Sequence, residues 1–340
     1  MNYGLPYKGS KNRIAKKILD FLPAAPVLYD VFCGGCAITH AALLSGKYSR
    51  VVANDINSMI PHAFETAIIG GFRDEDRWIS RDDFQKLYKT DPYVAICFSF
   101  GNNLHEYCYS RELEPYKRAL HYAIFWKDIA PWAGLCPETA DALKTAVESE
   151  QDRHKRRIAA GRAIVTAVKA GLMNGSIDPA VMDKPIYRTI RKEKTPGLRI
   201  KSDERFERLK NLETLQTDES LCRLQSLEWL ERITDVDVPP VLTVTTGDYR
   251  ALNFERGGII YCDPPYKSTE ERYGREFDFN DFYSWCEHQA QANSVFISEY
   301  TMPEDRFVPV AAFTVNRKMN AKKSSICPEK IWRPRCQLGI

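Results

Sequence analysis

Within its first 55 residues the chain runs strand, glycine turn, helix, strand, acid, and that order constrains the fold more than anything else in the sequence. Val27-Leu28-Tyr29-Asp30-Val31-Phe32 reads as a short apolar strand and Cys33-Gly34-Gly35-Cys36 as a tight turn. Ala37 to Ser45 is an alanine- and leucine-rich helix that Gly46 can cap. Val51-Val52-Ala53-Asn54 is a second strand ending in Asp55, and a helix is expected over 58–69. A β-α-β unit of this kind predicts an α/β fold: a Rossmann-like sheet with helices on both faces.

The pattern then breaks off and returns. Residues 73–238 are charged, aromatic and mostly helical in periodicity, with a loop at Ser99-Phe100-Gly101-Asn102-Asn103, a basic helix over 151–172 and a break at Thr195-Pro196-Gly197. Pro239-Pro240 marks the return. Val241 to Thr245, Gly258 to Cys262 and Ser294 to Ser298 read as buried strands, 279–292 as a helix, and 313–317 with 331–335 as a final hairpin. The expected organisation is a split catalytic domain, 1–72 and 239–340, around an inserted recognition region, 73–238.

The chain's 340 residues, 44% hydrophobic and 27% charged, suit a soluble protein of one large and one smaller domain. No apolar run approaches the length that crosses a bilayer. Met1-Asn2-Tyr3-Gly4 lacks the layout of a signal peptide, so a cytoplasmic location is expected. The ten cysteines are scattered and read as reduced, buried thiols. Cys33-Gly-Gly-Cys36 has redox or zinc spacing, but no second CxxC accompanies it, and no metal is expected. Net charge is +3, yet residues 150–210 hold 16 Lys/Arg against 8 Asp/Glu, a local +8 that leaves −5 for the remainder. Such a segment is either a solvated helical face or a surface for a polyanion.

Two places carry chemistry. A glycine pair after a strand admits close approach to the backbone, the next helix N-terminus favours an anion, and Asp55 can accept from two ribose hydroxyls. Phe32-Cys-Gly34-Gly35 is neither G-x-G-x-x-G nor a Walker loop, which disfavours a dinucleotide or a triphosphate. A nucleoside with a small charged tail fits, and S-adenosyl-L-methionine is one; a turn needed only for packing is the competing explanation. Farther on, Asp263-Pro264-Pro265-Tyr266 follows the apolar run Gly258-Ile259-Ile260-Tyr261-Cys262. A carboxylate, two prolines and a ring at a strand's end can hold a flat heterocycle by its exocyclic amine, or can simply end the strand.

Taken in order, these segments resemble the Dam-type DNA adenine-N6 methyltransferases found in phages and restriction-modification systems. Tyr7-Lys8-Gly9-Ser10-Lys11 is similar to that family's N-terminal cofactor motif and Asp30-Val-Phe32-Cys-Gly34-Gly35-Cys36 to its Phe-x-Gly-x-Gly motif. Asn54-Asp55-Ile56-Asn57 resembles the acidic ribose motif, Gly247-Asp248-Tyr249 the adenine-lining segment, Tyr261-Cys-Asp263-Pro264-Pro265-Tyr266 the catalytic motif, and Val295-Phe-Ile-Ser298-Glu-Tyr300 the strand behind the target-base pocket. The resemblance covers residues 3–70 and 240–335. Cys36 stands where the family has its second glycine, so a positive φ would be costly there and Gly35 is expected to supply the flexibility.

The resemblance implies a cofactor site of Tyr7, Lys11, Asp30, Phe32, Gly34, Gly35, Asp55, Ile56, Asp248, Tyr249 and Asp263, and a catalytic set of Asp263, Pro264, Pro265 and Tyr266. Asp263 and the Pro264 carbonyl would hold the amine while Tyr266 stacks on a base swung out of duplex DNA. An acid at 263, where cytosine-N4 enzymes more often carry serine and RNA adenine enzymes asparagine, favours DNA adenine. Cytosine-C5 chemistry needs a Pro-Cys element, and Cys136-Pro137 and Cys327-Pro328 have the reverse order. With DNA as substrate, Arg153, Lys155, Arg156 and Arg157, and Arg188, Arg191, Lys192 and Lys194, are expected at phosphates. Reversing the charge of Arg156 and Arg157 is then expected to weaken DNA binding and flatten its salt dependence. The expected assembly is a monomer or weak dimer in a bacterial or phage-infected cytoplasm, with a cognate restriction endonuclease as a possible partner. A DNA-binding protein without catalysis is the rival of another class.

Overall fold

A computed structural model of the chain describes residues 2–189, 225–233, 241–265, 277–315 and 327–339. Seven strands among them form one sheet: β1 (Ala25–Asp30), β2 (Tyr48–Asp55), β3 (Val241–Thr246), β4 (Ile259–Cys262), β5 (Ser294–Glu299), β6 (Phe307–Val315) and β7 (Cys327–Pro334). Their order is β3-β2-β1-β4-β5-β7-β6. The pairs β1–β2, β1–β4, β2–β3 and β4–β5 are parallel, whereas β7 runs antiparallel to β5 and β6. The order reverses between β1 and β4, and a crevice at the C-terminal ends of strands opens at such a switch point. The closing hairpin is present with β6 starting earlier than expected, at Phe307.

Alternating residues feed two cores. Leu28, Val51, Ala53, Ile259, Tyr261 and Phe296 face a core that includes helices α1 (Ala15–Phe21), α2 (Ala37–Ser45), α3 (Met59–Ile68), α4 (Arg81–Leu87) and α5 (Pro92–Cys97). Val27, Tyr29, Val52, Ile260, Cys262, Val295 and Ile297 face the other side, which a later helix, Phe279–Gln289, covers with Phe282 and Cys286. The period of two in a strand makes this division. Helices therefore lie on both faces of a mixed α/β sheet, as an S-adenosylmethionine-dependent methyltransferase fold requires.

A third core belongs to a helical body: α6 (Glu114–Trp126), α7 (Ala130–Leu135), α8 (Ala140–Ser149), α9 (Arg153–Asn174) and α10 (Pro185–Arg188) around Trp132, Leu143, Ile164 and Tyr187. Helix α11 (Gln225–Arg232) packs Leu227 and Leu230 into the first core; the Phe279–Gln289 helix is α12. Among the described residues no helix is long and apolar enough to cross a membrane.

Candidate active site

Three neighbouring strands, β2, β1 and β4, end at one edge and place the site there. β4 ends because Pro264 and Pro265 have no N–H to continue a ladder. Pro264 is buried, and Pro265 and Asp263 are half-buried; Tyr266 lies outside the described residues. From the N-terminal segment Lys11 reaches this edge, its Nζ 2.9 Å from Asp263 Oδ1 and 3.5 Å from Glu329 Oε1. Burial opposes the Lys11 charge, but the two carboxylates outweigh it and raise its pKa.

The glycine turn folds over the end of β2, where Cys33 N donates to the Asn54 carbonyl at 2.9 Å. Gly34 N donates to Asp55 Oδ2 at 2.9 Å, and Asn57 N donates to Oδ1 at the same distance. Burial raises the Asp55 pKa against these amide contacts. Gly34 has φ +46°, and Cys36, where the resemblance places a second glycine, also has a positive φ, +57°, despite its Cβ. Gly35 does not supply that flexibility. It is needed because a Cβ there would come within 2.6 Å of Tyr7 Cβ, so the close approach is by the N-terminal segment rather than by a ligand. That segment is also tied by Leu5 N to the Gly35 carbonyl and by Gly4 N to His40 Nδ1 at 3.0 Å. The Cys33 and Cys36 thiols are free and buried, with Sγ atoms 3.5 Å apart.

The remaining expected cofactor residues take different stations. Ile56 projects beside Asp55 and is 62% exposed, an apolar surface at the crevice rim. Tyr249 is buried and meets Phe32 at 5.1 Å between ring centroids, with Phe282 and Trp285 behind it. Gly247 N donates to the Asp55 carbonyl at 3.1 Å, which brings this segment to the same edge. Asp248, however, is engaged by Arg250, whose Nε donates to Oδ1 at 2.9 Å and whose hydrogen bond is the largest cause of its lowered pKa. Asp30 is 1% exposed, and its Oδ2 accepts from Thr39 N at 3.0 Å and from Thr39 Oγ1 at 2.6 Å. Burial pushes its carboxyl up to about 7, Thr39 opposing and Asp263 and Asp55 adding to the rise. Asp30 therefore anchors the first turn of α2.

Sequence reasoning missed several residues of the edge. Asn54 stitches three strand ends, its Nδ2 donating to the Val31 and Gly247 carbonyls at 3.1 Å each and its Oδ1 accepting from Thr245 Oγ1. Glu329 arrives because β7 is antiparallel and so begins where its neighbours end; its Oε1 accepts from Ser298 Oγ at 2.7 Å. A polar residue inside an apolar strand end was the available signal for Asn54. Glu329 had none beyond its place in an expected hairpin. The loop at 99–103 also reaches the site, since Lys8 N donates to the Asn102 carbonyl at 3.3 Å. Gly101, Asn102 and Leu104 all have positive φ there, a concentration of backbone strain typical of functional loops.

The basic helix departs from expectation. Arg156 is buried, its guanidinium donating to the carbonyls of Glu150, Ile124 and Gln151. Arg157 is buried and holds Glu228 of α11, with Nη2 3.1 Å from Oε2. Arg153 holds Glu231 and the Glu75 and Arg73 carbonyls. Arg156 and Arg157 thus fasten α9 inward and do not face phosphates as expected, whereas Arg153 is engaged with these partners but half-buried. Lys155 and Arg188 are exposed, and Arg191, Lys192 and Lys194 lie outside the described residues.

Residues 7–119 match the family model of the D12 class N6 adenine-specific DNA methyltransferases. The matched stretch holds Tyr7, Lys11, the glycine turn, Asp55 and Ile56, and the Asp263 edge lies beyond it. No curated protein matches the chain. The N-terminal third of the chain, which carries the glycine turn and Asp55 and is completed at the sheet edge by the end of β4, is therefore similar to the D12 class N6 adenine-specific DNA methyltransferases, a family of enzymes.

Proposed function

We propose that the protein transfers a methyl group from S-adenosyl-L-methionine to N6 of an adenine swung out of duplex DNA, at the crevice between β1 and β4. The observation that carries this is the Lys11–Asp263 contact at the switch point of the sheet, 2.9 Å long and beside the Gly34–Asp55 pair. The edge fits such a cofactor by charge: Asp55, Asp263 and Glu329 outnumber Lys11, and a sulfonium is a cation. Asp55 would hold the ribose hydroxyls, Ile56 and the tilted Phe32–Tyr249 pair would border the adenine, and Tyr7 and Lys11 would close the site from the N-terminal side. The cofactor supplies an electrophilic methyl on its sulfonium when bound.

The chain's own residues do the rest. Adenine N6 is a weak nucleophile because its lone pair is delocalised into the ring. Asp263 and the Pro264 carbonyl accept from its two N–H groups and favour a pyramidal nitrogen whose lone pair faces the methyl. As positive charge develops on nitrogen, acceptors already fixed in place stabilise it, and alignment lowers the barrier further. Asp263, which would take the amine proton as the C–N bond forms and the donor's C–S bond breaks, need not be a strong base, because the amine becomes acidic only in that step. The helical body around Trp132 and Ile164, with the exposed cations Lys155, Arg162 and Arg188, serves as the DNA-recognition region, and the loop at 99–109 links it to the cofactor motif. Of the expected insert 73–238, α4, α5 and α11 pack into the first core of the sheet, and the separate helical body spans α6 to α10.

DNA from a methylation-free host expressing the chain should contain N6-methyladenine in a fixed sequence context. Asp263→Ala should lower the single-turnover rate by roughly a thousandfold while calorimetry still detects cofactor binding. N4-methylcytosine in that DNA, or full activity of the variant, would remove the proposal.

A further inference from the structure

We propose that Glu329 is a positioning residue for methyl transfer: by sharing the Lys11 ammonium with Asp263, it leaves the edge one net negative charge with which to hold a reacting amine. The inference rests on the methyltransferase function just proposed. Lys11 is 8% exposed and Glu329 only 2%, so their contact is screened from solvent. A buried ammonium opposite a single carboxylate forms a neutral pair in which each field cancels the other. Here Lys11 Nζ lies 2.9 Å from Asp263 Oδ1 and 3.5 Å from Glu329 Oε1, and one cation between two carboxylates leaves a formal surplus of one negative charge. That surplus sits where positive charge develops on the amine.

The fold holds Glu329 to this task from two sides. Ser298 Oγ donates to its Oε1 at 2.7 Å. The β5–β7 register sets its neighbour Lys330 opposite Glu299, the last residue of β5, so Glu329 lies level with the strand ends that carry the site. If Glu329 only filled space, glutamine would replace it without loss, keeping its volume and an acceptor for Ser298 and removing only the charge.

The test compares the full-length wild type with Glu329→Gln, Lys11→Gln and the double variant, using S-adenosylmethionine and a duplex that the wild type methylates. Glu329→Gln is expected to slow single-turnover transfer by roughly tenfold or more, with the Kd values for cofactor and DNA within about twofold of wild type. In the Lys11→Gln background the same change should alter the rate by less than about twofold, because two facing carboxylates without the ammonium share one proton and the edge carries one negative charge with or without Glu329. Melting temperatures give a reading independent of activity. Lys11→Gln leaves two carboxylates facing each other and lowers the melting temperature, and adding Glu329→Gln should restore part of the loss. A wild-type rate for Glu329→Gln, equal slowing in both backgrounds, or additive melting shifts would overturn the inference. Should Glu329→Gln not fold, Ser298→Ala frees the carboxylate without removing charge and should slow transfer several-fold; an unchanged rate would overturn the inference equally. A wild type that methylates no DNA removes the proposed function, and the inference with it.

Discussion

At the C-terminal edge of the sheet one ammonium, Lys11, faces Asp263 and Glu329, with Asp30 and Asp55 on the adjoining strands. Between α9 and α11, Arg153 and Arg157 face Glu231 and Glu228 one for one, and His154 lies between, Nδ1 3.2 Å from Glu228 and Nε2 2.9 Å from Glu231. The two regions solve the cost of burying charge differently. The helical clasp pairs every carboxylate with a guanidinium and leaves nothing over, which is what a structural fastening needs. The sheet edge keeps an acidic surplus and suppresses part of it by holding Asp30 protonated up to about pH 7. An unbalanced buried cluster in a crevice is a site for a ligand that completes it; a balanced one is a joint.

The largest effect expected from breaking this contrast is on the clasp. Arg156→Ala with Arg157→Ala strands Glu228 and three backbone carbonyls, and should lower unfolding free energy by about 4 kcal/mol. Urea titration measures it. Per folded molecule, the salt dependence of DNA binding should stay as in wild type, because neither guanidinium is at the surface. A stable double variant with a flattened salt slope would show that these arginines turn outward to phosphates after all.

The sheet edge should respond to pH instead, through two buried groups of opposite sign. Burial lowers the His40 pKa to about 4, where its Nδ1 accepts from Gly4 N. The unfolded chain, with an ordinary histidine near 6.5, then binds more protons, so the His40 contribution is intact above about pH 6.5 and lost as pH falls toward 4. Asp30 works the other way. Its folded pKa of about 7 exceeds the unfolded value near 4, so the folded state binds more protons and gains stability as pH falls through 7. The legs amount to roughly 3 and 4 kcal/mol, and they largely offset one another in the wild type. His40→Gln keeps an acceptor for Gly4 and removes one leg. Relative to wild type it should gain stability steadily from pH 7 to 4, whereas Asp30→Asn should lose its advantage over the same range. Parallel denaturation profiles for all three proteins would mean that neither group is held as described.

How much of this was legible in the sequence depends on the kind of pattern involved. Local period and turn chemistry located β1, the Cys33–Cys36 turn, α2 with its Gly46 cap, β2 with Asp55, and the proline stop after β4, because each is decided by neighbours in sequence. The αL conformation of Cys36 was not, since it lies where the N-terminal segment packs against the turn at Gly4 and Gly35, a contact distant in sequence. Glu329 was not either: its role depends on the antiparallel return of β7, a tertiary fact. The arginines of α9 are the instructive miss. Arg156 and Arg157 share the buried stripe with Ala160, Ile164 and Val168, spaced for one helix face. Counting charge along 150–210 made a surface of them, and counting periodicity would have turned them inward.

That same stripe leaves Lys155 outside it, exposed, and so supplies the smallest and most discriminating test. Lys155→Ala should change stability by less than about 0.5 kcal/mol, because no buried partner is left behind. If the outer side of α9 follows DNA, the slope of log affinity against log salt should fall by about one, with equal weakening on cognate and unrelated duplexes, as for a phosphate contact. Adjacent residues on one helix would then show opposite profiles: at 156 a large loss of stability with no change in slope, at 155 a change in slope with no loss of stability. No difference in general stability or net charge produces that crossing, since Arg156→Ala alone and Lys155→Ala each remove one cation from one turn of α9. An unchanged slope for Lys155→Ala would take the DNA face off this side of the helix and leave Arg188 and the loop at 99–109 to carry it.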